Sequence, residues 1–261
     1  MNMKSLKILF VGNSFAVDTM EQAAEIAQSL GVSNVKFVTL YVAGCSIDMH
    51  YRHAVEDAAV YTCYLNEGNG WTSAPEYKIS DAVKSDDWDW IAIQHGTAEN
   101  SRYTSCKCYE NLKPLVEYLK ALAPSHTKIA FNLTWLGEPT YQHHEIISYS
   151  GDMALMRENL VNVTKKMVLS DPKIDLIVPT GTAIENARTS RIGLLTRDNY
   201  HLSRDKGCFI AGLAFISTVT GIDAEKITWA PENVDEYAVK VAVESVKNAQ
   251  KDPFVITESI Y

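Results

Sequence analysis

Residues 7–15 read KILFVGNSF, an apolar run of strand length that ends in a turn containing a glycine. Aliphatic and aromatic residues followed at once by glycine favour a buried strand and a tight turn. A helical pattern follows at residues 18–30, with Ile26 and Leu30 on its apolar face and Gly31 after its end. The stretch therefore predicts a strand, a turn and a helix, which is how an α/β fold begins.

The same alternation continues along the chain. Further apolar runs of strand length occur at residues 35–42, 89–94, 128–135 and 175–179, and helical patterns at 109–122, 153–169 and 206–220. Strands that alternate with helices are typical of a parallel sheet covered by helices on both faces. We predict an α/β fold of this kind, in a single domain over residues 1–261.

Residues 61–77 interrupt the alternation. Two short strand-like runs flank the turn sequence Asn-Glu-Gly-Asn-Gly at residues 66–70, which predicts an inserted β-hairpin. Its aromatic residues form either a wall of a substrate cleft or a cover for a sheet edge or dimer contact. They are Tyr61, Tyr64, Trp71 and Tyr77.

Charge and hydropathy exclude several partners. The chain has 24 basic and 32 acidic residues and a net charge of -8, which disfavours nucleic acid and anionic membranes. Its apolar runs are far shorter than the roughly 20 residues of a membrane span. The first strand begins without a preceding export signal, so we expect a cytoplasmic location unless such a segment has been removed. The composition does not define the oligomeric state.

The cysteines and histidines predict neither a disulfide framework nor a metal site. Five scattered cysteines are an odd number, which favours reduced thiols. Cys106 and Cys108 are too close in sequence for a zinc knuckle. The pairs His50/His53 and His143/His144 lack a matching set of carboxylates or cysteines. We predict no metal and no cofactor.

Reactive residues follow the predicted strands at their carboxyl ends, where open parallel sheets bind ligands. Ser14 follows the first strand, Gly44 the second and Gln94 the third. Asp198 and His201 follow the fifth strand after a longer loop. We expect these residues to meet at one edge of the sheet.

Ser14 and the pair Asp198/His201 have the chemistry of a nucleophile and its base. A serine in a strand-to-helix turn exposes its hydroxyl, although serine there also commonly caps the helix. A serine nucleophile needs a base, and the base needs a partner that fixes its tautomer. The spacing lets the carboxylate bind one ring nitrogen while the other faces the serine; a purely structural loop histidine is the alternative.

The ordered blocks Gly12-Asn13-Ser14-Phe15, Gly44 and Asp198-x-x-His201 resemble those of the SGNH/GDSL hydrolase superfamily. The chain is also similar to an uncharacterised branch that shares the Gly-Asn-Ser-Phe block, a Thr-Trp pair and a Pro-Thr-Gly-Thr-Ala run, here at residues 134–135 and 179–183. The resemblance implies a three-layer α/β/α, flavodoxin-like fold. It also implies ester hydrolysis through an acyl-enzyme, with a triad of Ser14, His201 and Asp198.

Two blocks depart from the superfamily pattern. Asn13 stands where the first block usually has aspartate, and the third block lacks the usual Gly-x-Asn-Asp. We predict an oxyanion hole made by the backbone N–H groups of Ser14 and Gly44 and the side-chain amide of Gln94. Asn100 is the second choice for the amide, and a simple turn role is the alternative for Gly44.

Other residues near strand ends are candidates for substrate contacts. They are His95, Asn100, Trp135 and Thr180. Core packing is an equal alternative for Trp135.

The predicted function is that of a serine esterase or deacylase acting on a small-molecule or carbohydrate ester. An acetylated carbohydrate is preferred because the aromatic hairpin can stack on a sugar ring. Two alternatives remain open: a vestigial site that binds a glycan or small molecule without turnover, and a phosphate or nucleotide binder that uses residues 12–14 as an anion cradle. The single glycine and the absence of lysine from the turn disfavour the second alternative.

Overall fold

A computed structural model describes residues 3–95, 104–141 and 144–261 of the chain. Within these residues, seven strands form one sheet. They are β1 (Ser5–Gly12), β2 (Asn34–Tyr41), β3 (Tyr61–Asn66), β4 (Trp71–Tyr77), β5 (Trp90–Gln94), β6 (Lys128–Asn132) and β7 (Leu176–Val178).

The sheet is largely parallel. Its strand order is β4-β3-β2-β1-β5-β6-β7, in which β2, β1, β5, β6 and β7 run parallel. These five strands have the flavodoxin-like order 2-1-3-4-5. The hairpin β3–β4 adds two antiparallel strands beside β2. The predicted fold class, including the inserted hairpin, is confirmed.

Helices connect the strands and cover the sheet. The α-helices are α1 (Ser14–Met20), α2 (Ala23–Ser29), α3 (Ile47–Val55), α4 (Ile79–Lys84), α5 (Leu112–Leu122), α6 (His144–Ser148), α7 (Met153–Val163), α8 (Thr180–Arg188), α9 (Lys206–Thr220) and α10 (Glu236–Lys251). Short 3₁₀ turns occur at Cys106–Tyr109 and Ala224–Lys226, and a π turn at Thr164–Val168 extends α7. None of the described helices is both long and apolar enough to cross a membrane.

Two apolar cores lie on opposite faces of the sheet. In β1, Ile8 and Phe10 enter one core while Leu9 and Val11 enter the other, because successive side chains of a strand alternate in direction. Helices α1, α2, α8, α9 and α10 close the first core, and α3, α4, α5 and α7 close the second. The three layers place the carboxyl ends of the parallel strands along one edge, where the loops are free to carry functional groups.

The first helix differs from its predicted range of residues 18–30. It begins at Ser14, directly after the turn, and a break at Glu21 and Gln22 separates α1 from α2. The side-chain amide of Gln22 donates a hydrogen bond to the carbonyl oxygen of Arg204 at the break. The early start places Ser14 at the first position of the helix.

At Gly181, helix α8 lies very close to the backbone that follows β6. A Cβ atom at this position would lie 2.0 Å from the carbonyl oxygen of Thr134 and 2.8 Å from the backbone nitrogen of Trp135. Backbone atoms cannot move aside as a side chain can. We therefore expect Gly181→Ala to lower the free energy of unfolding by about 3 kcal/mol, measured by urea denaturation.

Gly212→Ala is the matched control. In α9 the new Cβ atom would meet the end of a flexible side chain, Cδ1 of Ile26, at 2.8 Å. Alanine is also the better helix former by about 1 kcal/mol. We expect this variant to change the stability by less than about 1 kcal/mol, and equal losses in the two variants would contradict the account.

Candidate active site

Asn13, rather than Ser14, caps the first helix. The Oδ1 atom of Asn13 accepts a hydrogen bond from the backbone N–H of Phe15 at 3.0 Å. The hydroxyl of Ser14 therefore does not serve as the cap, and Ser14 is half-buried at the start of α1. Gly12 permits this tight turn, because a Cβ atom there would lie 2.5 Å from Cβ of Ala16.

The structure brings Ser14, His201 and Asp198 together. The Nε2 atom of His201 lies 2.9 Å from Oγ of Ser14, and its Nδ1 atom lies 2.7 Å from Oδ2 of Asp198. Ser14 and His201 are 187 positions apart in the chain. We call these three side chains the triad. The contact between Ser14 and His201 lets a proton pass from the hydroxyl to the imidazole, and the contact with Asp198 orients the ring.

A tight turn shapes the Asp198 end of the triad. Oδ1 of Asp198 accepts hydrogen bonds from the backbone N–H groups of Tyr200 at 3.1 Å and His201 at 2.6 Å. Asn199 takes a left-handed conformation with φ of 66°, which asparagine tolerates better than most residues. The turn leaves Oδ2 directed at the imidazole, so the spacing Asp-x-x-His suffices to orient the ring.

The carboxyl group of Asp198 is poised to remain ionised. Burial would raise its pKa, but hydrogen bonds from the His201 ring and from the backbone N–H groups of His201 and Tyr200 outweigh that effect and hold the pKa below its ordinary value. A carboxylate favours the tautomer of His201 with the proton on Nδ1. The Nε2 atom then carries the lone pair that can accept the serine proton.

Aromatic rings pack against the triad. Phe15 stacks on Trp135 with ring centroids 4.3 Å apart and contacts His201 edge-on at 6.1 Å. The indole N–H of Trp135 donates to the carbonyl oxygen of Tyr200 at 2.9 Å. Trp135 has no exposed surface. It therefore positions the loop that carries His201, which favours core packing, the alternative that the sequence left open for Trp135.

An ion pair that the sequence analysis does not predict holds the loop that carries His201. Asp18 is buried, and its two oxygens accept hydrogen bonds from the guanidinium of Arg197 and the backbone N–H of Leu202, both at 2.9 Å. Burial raises the pKa of Asp18, and the two hydrogen bonds oppose the rise. Asp18 lies one helical turn after Ser14, and this i,i+4 spacing is the sequence signal that points to it.

The side-chain amide of Asn13 joins three strand ends. Its Nδ2 atom donates to the carbonyl oxygen of Cys45 at 3.0 Å, and its Oδ1 atom also accepts from Nε2 of Gln94 at 2.7 Å. Asn13 is fully buried. An aspartate could not donate to Cys45 without a proton, which explains why an amide stands in this block.

The network continues along the sheet edge through further buried groups. Nδ2 of Asn132 lies 3.4 Å from Oε1 of Gln94, and the hydroxyl of Thr180 donates to Oδ1 of Asn132 at 2.6 Å. Gln94, Asn132 and Thr180 are all buried. The structure therefore makes Thr180 part of this buried network, and its contact with substrate stays a prediction.

The predicted oxyanion donors have different surroundings. Gly44 follows β2 with φ of 59°, a left-handed conformation that favours glycine, so the residue is required in the turn. The amide nitrogen of Gln94 donates one hydrogen bond to Asn13, which gives Gln94 a positioning role, and its predicted direct role in the oxyanion hole stays a prediction. Asn100, the second choice, lies outside the described residues. Oxyanion binding by the N–H groups of Ser14 and Gly44 stays a prediction.

His95 is also buried rather than surface-lining. It is 1% exposed, and its Nε2 atom lies 2.5 Å from the hydroxyl of Thr134. Burial lowers the pKa of His95 to about 3, and the positive charge of Arg157 adds to the effect. The structure thus shows His95 as a neutral, enclosed histidine, and its contact with substrate stays a prediction.

The aromatic residues of the hairpin separate into different environments. Tyr61 is buried and shares a hydrogen bond of 2.8 Å with Nδ1 of His50, whereas Tyr77 is 37% exposed. Tyr64 and Trp71 border a cavity beside α1. Among the residues that the structure describes, no group of three or more histidine, cysteine or acidic side chains is arranged to hold a metal ion.

Asn13→Asp tests the amide at the sheet edge. We expect it to lower the free energy of unfolding at pH 7 by about 2–3 kcal/mol relative to wild type, because a buried carboxylate would face the carbonyl of Cys45. Burial would raise the pKa of this aspartate above its unfolded value of about 3.9. The loss of unfolding free energy should therefore be small below pH 4 and grow as the pH rises. Urea unfolding below pH 4 and at pH 7 measures it.

Asn34→Asp is the control, since the exposed amide of Asn34 also donates to a carbonyl, that of Lys4 at 3.0 Å. In water the lost hydrogen bond is replaced, so we expect a change below about 0.5 kcal/mol. A loss for Asn13→Asp that matches this control, or that does not vary with pH, would rule out the proposed reason for asparagine.

Comparisons with known proteins identify the family. A family model described as a domain of unknown function, DUF4886, matches residues 7–249. The crystal structure of a DUF4886 family protein from Bacteroides uniformis is 27% identical, covers 98% of each chain and superposes with a TM-score of 0.91. An acetylxylan esterase from Geobacillus stearothermophilus is 16% identical over 84% of this chain and 96% of its own, with a TM-score of 0.49. A lipase from a goat rumen metagenome is 13% identical over 83% of this chain and 98% of its own, also with a TM-score of 0.49. No curated protein matches the sequence. The chain belongs to the DUF4886 family.

Proposed function

We propose that the protein is an SGNH-type serine hydrolase that cleaves an acyl ester, with Ser14 as nucleophile. One observation carries the proposal: His201 contacts Ser14 through Nε2 at 2.9 Å and Asp198 through Nδ1 at 2.7 Å. Both distances are within the range expected of a nucleophile, its base and the residue that orients the base. Ser14 is half-buried at the start of α1, so the core does not enclose the residue completely.

The geometry supports a two-step reaction. His201 accepts the proton of Ser14 on Nε2 while Oγ attacks the acyl carbonyl, and the backbone N–H groups of Ser14 and Gly44 stabilise the oxyanion. His201 then gives its proton to the alcohol oxygen as the ester bond breaks. In the second step, His201 takes a proton from water, the resulting hydroxide attacks the acyl-enzyme, and the acid leaves with Ser14 reprotonated.

Two contacts argue against a phosphate cradle at residues 12–14. Asn13 already occupies the backbone N–H of Phe15, which is one of the donors that a bound anion would need. The Ser14 hydroxyl faces an imidazole whose other side holds a carboxylate, an arrangement suited to proton transfer. A binding protein without turnover would not need the triad geometry, although it remains the alternative that kinetics must exclude.

Kinetics with p-nitrophenyl acetate, butyrate and octanoate test the proposal. We expect wild type to hydrolyse at least the acetate, and Ser14→Ala and His201→Ala to lose at least about 10³-fold in kcat. Asp198→Asn should lose about 10²–10⁴-fold, because an amide no longer selects the Nδ1–H tautomer. Circular dichroism verifies that each variant is folded.

Matched controls use a serine and a histidine far from the triad. Ser33 is exposed, and His126 is an exposed histidine that lies 3.4 Å from an aspartate, Asp87. Ser33→Ala and His126→Ala should retain full activity. A wild type without activity on all three esters, or full activity in folded Ser14→Ala, would contradict the proposed function.

A further inference from the structure

A cavity of about 270 Å³ lies between α1, β2 and the hairpin. It is bordered by Val17 and Met20 of α1, Thr39 of β2, Tyr64 and Trp71 of the hairpin, and Arg204. Its volume is near the lower end of the range of roughly 300–1,000 Å³ that is usual for small-molecule sites. The cavity therefore suits a single small ring rather than an extended chain.

The cavity is next to the triad in the fold. Val17 lies one turn after Ser14 on α1, and Arg204 lies three residues after His201. Tyr41, which pairs in register with Gly12 of the nucleophile turn, has its ring 5.9 Å from that of Tyr64. The same helix and loop that hold the triad thus form two sides of the cavity.

Aromatic rings give the cavity an apolar wall. The indole N–H of Trp71 donates to the carbonyl oxygen of Glu21 at 3.1 Å, which fixes the orientation of the ring. Tyr64 supplies a second aromatic surface. Rigid aromatic faces bind the C–H faces of a sugar ring well, because they offer apolar area with little loss of conformational entropy.

Polar groups border the same cavity. Thr39 is 1% exposed, and its hydroxyl has no hydrogen-bond partner within the described parts of the chain. An unpaired buried hydroxyl is unfavourable, so a ligand that pairs with it gains affinity. The ion pair between Glu21 and Arg204, 2.5 Å apart, adds both an acceptor and donors at the border.

We infer that this cavity binds a monosaccharide ring that forms the alcohol part of the ester substrate. The inference rests on the proposed function, in which that ester is cleaved. An alkyl acyl chain fits less well. It would cover the Glu21–Arg204 pair without offering it hydrogen bonds and would leave the Thr39 hydroxyl without a partner. A sugar ring satisfies the aromatic wall and the polar groups together.

Selectivity measurements test the subsite. The quantity compared is the ratio of kcat/KM for a mono-O-acetylated methyl pyranoside to kcat/KM for p-nitrophenyl acetate. We expect Trp71→Ala to lower this ratio at least tenfold and Thr39→Val about fivefold, whereas Trp71→Phe keeps an aromatic face and should change it less than threefold. Because the Thr39 hydroxyl has no hydrogen-bond partner among the described residues, Thr39→Val should not lower the melting temperature.

Tyr77→Ala is the control for the hairpin, since Tyr77 ends β4 but does not border the cavity. It should leave the ratio unchanged. A ratio unaffected by Trp71→Ala and Thr39→Val would overturn the inference. So would a selective loss of p-nitrophenyl octanoate hydrolysis in these variants, which would assign the cavity to the acyl chain.

Binding to an inactive variant separates this inference from the proposed function. Calorimetric titration of the acetylated methyl pyranoside into Ser14→Ala should show saturable binding, weakened at least tenfold when Trp71→Ala is added. Failure of hydrolysis together with Trp71-dependent binding would reject the esterase and keep the sugar site. Absence of binding, or binding that does not depend on Trp71, would reject the site even if the esterase is active.

Discussion

The side-chain amide of Asn13 is the contact on which the rest of the site depends. It is fully buried and joins the carboxyl ends of β1, β2 and β5 by accepting hydrogen bonds from Phe15 and Gln94 and donating one to Cys45. Because asparagine both donates and accepts, one side chain caps α1 and closes the sheet edge. Ser14 is thereby released from capping and stands at the start of the helix with its hydroxyl free for His201.

The other half of the triad comes from a loop that is held in several ways. Asp198 is half exposed, so its charge interaction with His201 is weakened by solvent and contributes little stability by itself. Backbone hydrogen bonds to its Oδ1 atom, the Trp135 indole and the ion pair of Arg197 with the buried Asp18 determine where the imidazole lies. The position of the imidazole is therefore set by several contacts of the loop rather than by the Asp198–His201 charge interaction alone.

The sequence predicted the features that depend on local pattern. Apolar runs and turn residues were enough for the parallel sheet and the hairpin, and the Asp-x-x-His spacing was enough to place Asp198 beside His201. The sequence did not reveal that Gln94, His95 and Thr180 are buried, because burial depends on how distant segments pack over a strand end. The start of α1 differs from the prediction because apolar periodicity does not show where a helix begins. The cap by Asn13 determines that the helix begins at Ser14. Helix α10 has an amphipathic pattern of the kind that predicts a helix from sequence alone.

The central claim is that Ser14 is a nucleophile activated by His201. Reaction of the folded protein with a fluorophosphonate, followed by intact-mass measurement and peptide mapping, tests it without assuming a substrate. The account predicts one adduct per chain, located on Ser14, absent in Ser14→Ala and formed far more slowly in His201→Ala. No adduct on folded wild type, or an adduct on a different residue, would contradict it.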